Sequence, residues 1–146
     1  MRIAVAADHA GYPLKDLILT WIREAGHEAA DLGTHGTEPV DYPDVIAPCA
    51  RAVAAGDFDL AIVLGGSGTG EAIVANKIAG IRCVEASDPV TAALGREHND
   101  ANVLSMGARI VGTEVARACV KAFLEGRFQG GRHAARVEKI RDLERR

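Results

Sequence analysis

Leu60-Ala61-Ile62-Val63-Leu64 runs directly into Gly65-Gly66-Ser67-Gly68-Thr69-Gly70-Glu71. An unbroken apolar run stopped by glycines reads as a strand buried on both faces and turned sharply into a helix, the junction of a parallel βαβ unit. Four glycines within residues 65–70 let the backbone turn tightly and present its N–H groups without side-chain obstruction. The helix that follows adds unpaired N–H donors and a partial positive charge. Such a loop holds an anion or an oxyanion, and Glu71 sets a carboxylate at its mouth.

The same alternation extends in both directions. Residues 2–7 form a first strand, and Pro13 suits the first turn of a helix whose apolar stripe is Leu14, Leu17, Ile18, Trp21 and Ile22, ending near Gly26. A second strand is predicted over Glu28–Leu32, a polar loop over Gly33–Tyr42, a helix over Pro43–Ala55 and the central strand over 59–64. After the glycine loop come a helix over 71–79, a strand over Ile81–Ala86, a helix over Pro89–Glu97, a strand over Ala101–Ser105 and a helix over Thr113–Glu125. Gly130-Gly131 breaks the chain before a charged final helix, His133 to Arg146. Strands alternating with helices predict one domain over residues 1–146, an α/β protein with a three-layer α/β/α Rossmann-like fold and a five-stranded parallel sheet. Val137, Ile140 and Leu143 give the last helix a narrow apolar stripe. That stripe fits a helix packed on its own domain and equally one crossing to a partner subunit.

Composition limits the function classes. At 146 residues and 48% hydrophobic content, the chain buries roughly 70% of the surface its unfolded form exposes. Its 17 basic and 20 acidic residues, net −3, give no general attraction to nucleic acid or an anionic membrane, so any anionic ligand must be met by local cations. Cys49, Cys83 and Cys119 contain no C-x-x-C pair, so neither a disulfide framework nor a zinc site is expected. Without a signal peptide or an apolar run of about 18 residues, a soluble cytoplasmic protein is the expectation.

Ligands of open parallel sheets bind beyond the carboxyl ends of the strands. The clusters assigned there are Asp8-His9, the glycine loop with Glu71, His98-Asn99, and Arg109. Arg132 and Arg136 stand four apart at the head of the last helix and can grip a phosphate together. Singly, each has an ordinary structural explanation: a turn cap for Asp8, a helix-end cap for His98-Asn99, solvated charges for the arginines, a helix-dipole partner for Glu71. Together, a carboxylate base, an oxyanion-ready loop, two histidines and several arginines suit proton transfer beside the carbonyl of a phosphorylated molecule. Competing motifs are missing, since no G-x-x-x-x-G-K-[ST] occurs and the glycines lack the spacing of a dinucleotide fingerprint.

Ala7-Asp8-His9-Ala10-Gly11, Asp41-Tyr42-Pro43, Gly66-Ser67-Gly68-Thr69-Gly70-Glu71, Ala75-Asn76-Lys77, Arg96-Glu97-His98-Asn99-Asp100-Ala101-Asn102 and Gly130-Gly131-Arg132-His133 together resemble the type B ribose-5-phosphate isomerases, within the wider ribose/galactose phosphate isomerase family. The resemblance runs from residue 2 to about 140 and implies a metal-free, cofactor-free aldose–ketose isomerisation through a cis-enediolate. Many members carry a catalytic cysteine where Ser67 stands here. The resemblance to the branch that pairs Ser with Glu makes Glu71 the base. It further implies that His98 opens the furanose ring, that Asp8 and Tyr42 line the sugar site, and that Asn99 with the N–H groups of Ser67, Gly68, Thr69 and Gly70 holds the enediolate. His9, Arg109, Arg132 and Arg136 resemble the phosphate-binding set. A homodimer with shared active sites is implied, and a tetramer is compatible with it. Two rivals stand beside D-ribose 5-phosphate: a sibling enzyme acting on allose 6-phosphate, galactose 6-phosphate or an erythrulose phosphate, and a non-catalytic sugar-phosphate-binding module.

Overall fold

A computed structural model describes residues 1–145 and places the strand before the glycine loop at the centre of a parallel sheet. In chain order the elements are β1 (Arg2–Ala7), α1 (Tyr12–Glu24), β2 (Glu28–Asp31), α2 (Tyr42–Ala54), β3 (Leu60–Gly65), α3 (Thr69–Ala75), β4 (Cys83–Glu85), α4 (Pro89–Asn99), β5 (Val103–Gly107), α5 (Thr113–Glu125) and α6 (Arg132–Glu144). The strand order is β2-β1-β3-β5-β4, and every pairing is parallel. This is the five-stranded α/β arrangement that the alternating pattern predicts. None of the described helices is long and apolar enough to cross a membrane.

β1, β3 and β5 are apolar on both faces because helices cover both. On one side Ile3, Val5, Ile62, Leu64, Leu104 and Met106 pack with Ile18 and Ile22 of α1 and Val120 and Phe123 of α5. On the other, Ala4, Ala6, Ala61, Val63 and Val103 meet Ile46 and Cys49 of α2 and Ala75 of α3. Each fully buried Ile, Leu or Phe contributes about 1.5–3 kcal/mol relative to exposure, so these two clusters fix the sheet register. The chain leaves β1 for β2 on one side, then returns past it to β3. Between β1 and β3 the crossovers diverge, and a crevice opens at their carboxyl ends.

Several boundaries differ from the periodicity. α3 begins at Thr69 and ends at Ala75, short of residue 79, because the Asn76 amide leaves the helix to pair with Cys83, donating to its carbonyl at 3.0 Å and accepting its N–H at 2.8 Å. β4 shrinks to three residues, since the Ile81 N–H closes a turn onto Ile78. β5 starts two residues late, because the Ala101 N–H still bonds to Gly95 at the end of α4. In α1, Leu17 is exposed and Lys15 is buried, the reverse of the stripe. α6 packs Val137 and His133 inward and leaves Ile140 and Leu143 on its surface; the predicted end at Arg146 lies outside the described residues.

Candidate active site

The crevice between β1 and β3 holds a cleft of about 490 Å³ lined by Asp8, His9, Ala10, Tyr42, Gly66, Ser67, Gly70, Glu71, Arg109 and Ile110. Seven of the residues singled out from sequence therefore meet: Asp8, His9, Tyr42, Ser67, Gly70, Glu71 and Arg109.

Glu71 is 3% exposed, in the first turn of α3. Its carboxyl group lies where a side chain on residue 65 would be, since a Cβ built on Gly65 falls 1.9 Å from Glu71 Oε1. Gly65 is thus required by close approach, and the carboxylate is set beside the backbone at the end of β3. Burial pushes the Glu71 carboxyl above its ordinary value; its own backbone N–H opposes this, and the Asp8 and Glu85 carboxylates add to the rise. A buried carboxylate near other negative charge is a better base than a solvated one. With Glu71 as a general base, kcat/KM is expected to fall as pH drops through a pKa above the usual carboxylate range, because only an ionised carboxylate accepts a proton. A pH–rate profile that stays level down into the ordinary range contradicts this assignment.

The loop is shaped from beneath. Gly68 sits at φ +83°, a conformation that L side chains rarely adopt, with Met106 and Gly107 directly under it. Buried Ser105 donates its hydroxyl to the Gly68 carbonyl at 2.6 Å, and the Ala108 and Arg109 N–H groups bond to the Gly65 and Gly66 carbonyls. Ser105 is absent from the sequence-derived set; a lone Ser inside an apolar strand is its only sequence signal. Ser67 is exposed at the loop crest, its hydroxyl oxygen accepting the Thr69 N–H at 3.3 Å.

Around this loop stand the other polar groups. Asp8 is 6% exposed and accepts the Ala10 and Gly11 N–H groups on Oδ1, both at 2.9 Å, so it caps the turn into α1 and also lines the cleft. His9 accepts the Val40 N–H on Nδ1 at 3.1 Å, which leaves Nε2 as the protonated nitrogen of the neutral ring. The Tyr42 phenol covers Gly70, and the Arg109 guanidinium passes over Gly66.

Six other candidates lie elsewhere. Gly68 is buried under the loop rather than in the cleft lining. Thr69 turns its hydroxyl away, donating to Glu85 at 3.0 Å in an adjoining hollow of about 280 Å³. His98 and Asn99 are expected at the carboxyl edge with the loop, and the topology corrects this; Arg132 and Arg136, at the head of α6, lie with them. α4 leaves the carboxyl edge after β4 and runs about 16 Å back to Asn99, so a segment preceding β5 lies at the amino edge. There the His98 ring stacks on His133, centroids 4.2 Å apart and planes within 10°. Burial holds His133 below its ordinary pKa, and the charges of His98, Arg132 and Arg136 act in the same direction, which marks these as one cationic cluster. Arg82 and Arg96 clamp Asp100, the residue that ends α4 at φ 47°, and so fix the His98-Asn99 segment.

The cysteines offer no rival nucleophile. Cys49 and Cys119 are buried, and burial raises the Cys49 and Cys83 thiols to about 12.

Residues 3–140 match the model of the Ribose/Galactose Isomerase family. The chain is 46% identical over 145 residues to ribose-5-phosphate isomerase B of Escherichia coli (strain K12), covering 99% of this chain and 97% of that protein. It is 38% identical over 142 residues to D-erythrulose-4-phosphate isomerase of Pectobacterium atrosepticum, covering 96% and 93%. The solved structure of Clostridium thermocellum ribose-5-phosphate isomerase B superposes with a TM-score of 0.97 at 46% identity, over 99% of this chain and 98% of that one.

Proposed function

The chain belongs to the ribose/galactose isomerase family, and from that premise we propose that it interconverts D-ribose 5-phosphate and D-ribulose 5-phosphate by proton transfer through a cis-enediolate. The observation that carries the reading is Glu71: a buried carboxylate, raised in pKa, seated against the bare backbone of Gly65 beside a loop of N–H groups.

Each step has a named group. Once the furanose ring is open, ionised Glu71 removes the proton from C2, and the electron pair left behind forms the C1–C2 double bond as negative charge moves onto O1. The loop N–H groups and the Ser67 hydroxyl stabilise that charge, which preorganised donors do by several kcal/mol. A proton passes from O2 to O1, and Glu71 returns its own proton to C1. Asp8 and Tyr42 hold the sugar hydroxyls. His9 and Arg109 face the phosphate.

His98, Asn99, Arg132 and Arg136 complete the site from a second copy of the chain. Within one chain they occupy the sheet edge opposite Glu71, too far to share a substrate with it. The surface between them supports this assembly. Ile140 and Leu143 of α6 stand exposed and line a hollow of about 450 Å³ together with Asn99, Arg82 and Val84. A homodimer that buries this face lets α6 reach toward the partner's cleft.

Running the reaction in D₂O tests the enediolate. A solvent-exchanged base places deuterium at C1 of the ribulose 5-phosphate formed, detectable by NMR. Product that carries no deuterium at C1 even after the reaction has been cycled at equilibrium for many turnovers would point to a direct hydride shift and reject the mechanism.

A further inference from the structure

Lys15 is 1% exposed, on the inner face of α1. A buried ammonium is costly unless every proton finds a partner, and here the partners are specific. Its Nζ donates to Asp31 Oδ1 at 2.8 Å and to the Thr34 carbonyl, and it lies 5.3 Å above the centre of the Tyr12 ring. Asp31 ends β2, and its Oδ1 also accepts the Gly33 N–H at 2.9 Å. Gly33 and Thr34 are in turn pinned to Ala7 at the end of β1, through the Ala7 N–H to the Gly33 carbonyl at 2.7 Å and the Thr34 N–H to the Ala7 carbonyl at 2.6 Å. The ion pair therefore clamps the root of the loop 33–41 onto the end of β1, just before Asp8 and His9.

The far end of that loop touches the cleft. Val40 donates its N–H to His9 Nδ1 at 3.1 Å, so the loop decides which ring nitrogen carries the proton. We infer that the Lys15–Asp31 pair is a positioning device for His9: by anchoring the loop that carries Val40, it holds the His9 ring as the Nε2–H tautomer, a ready donor to the substrate's anionic group. The inference rests on the proposed role of His9 in substrate binding. The loop needs this anchor because residues 32–41 form neither helix nor strand that would hold them otherwise. The Asp31 carboxylate stays partly exposed, so it is the desolvated Lys15 ammonium, which must keep its protein partners, that defines the geometry.

Asp31→Asn, His9→Ala and the double variant test it, with steady-state kinetics on D-ribose 5-phosphate. Asp31→Asn should raise KM about tenfold, the equivalent of one hydrogen bond to a charged group, with kcat within about threefold. In the His9→Ala background the same change should add almost nothing, because its effect passes through His9. Equal effects in both backgrounds, or an unchanged KM in Asp31→Asn alone, would overturn the inference. If His9→Ala alone leaves KM unchanged, the role of His9 fails separately. Should Asp31→Asn not fold, Val40→Pro removes the single donor N–H, and the same rise in KM is expected. In the unaltered protein, long-range ¹H–¹⁵N spectra should show His9 protonated on Nε2; a resting Nδ1–H ring contradicts the coupling directly.

Discussion

Glu71→Gln is expected to lower kcat at least about a hundredfold while substrate affinity stays within about an order of magnitude, the usual scale for loss of a general base. Gln keeps the shape that fits against Gly65 and leaves the loop N–H groups and the cationic residues in place, so binding survives and proton abstraction does not. The thermal midpoint separates this from misfolding. A carboxyl whose pKa is raised by folding favours the native state in its neutral form; that stabilisation is present at low pH and is lost as pH rises through the folded pKa. At neutral pH ionised Glu71 therefore costs stability, and Glu71→Gln should melt no lower than the parent. Turnover that persists in this variant would place the base elsewhere. Asp8 is then the nearest carboxylate, although its Oδ1 is already committed to two backbone N–H groups.

Mixing two inactive variants should restore activity. Glu71→Gln and His98→Ala each disable every site of their own dimers. In a mixed dimer with shared sites, one site carries both lesions and the other carries neither. Random pairing of equal amounts makes half the dimers mixed, so the mixture should recover about a quarter of the parent rate after subunit exchange. The basis is the separation seen in one chain: Glu71 follows β3 at the carboxyl edge, and His98 lies in the last turn of α4 at the amino edge. No recovery, with exchange verified by mass, would mean that each chain completes its own site.

The sheet was legible because its signals are local. Apolar runs such as Leu60–Leu64 need no partner to be recognised, and the glycines after them announce the turn. The loop's partners were legible from motif order and not from spacing. What escaped is long-range. Lys15 reads as a polar position on α1, and only Asp31, sixteen residues on, explains its burial. Asn76 ends α3 by bonding to Cys83 across a turn that no periodicity encodes. The carboxyl edge expected for His98-Asn99 is the wrong one because a residue before a strand lies at its amino end, while a residue after a strand lies at its carboxyl end. The balance at Glu71 needed coordinates as well: burial and the helix N-terminus oppose each other there, and burial prevails.

Initial rates on D-ribose 5-phosphate and on a six-carbon substrate, D-allose 6-phosphate, measured side by side with one preparation, test the central claim most directly. The account predicts a kcat/KM clearly higher for the five-carbon substrate, with D-ribulose 5-phosphate as product. A strong preference for the hexose phosphate, or no turnover of D-ribose 5-phosphate by folded protein, would contradict it.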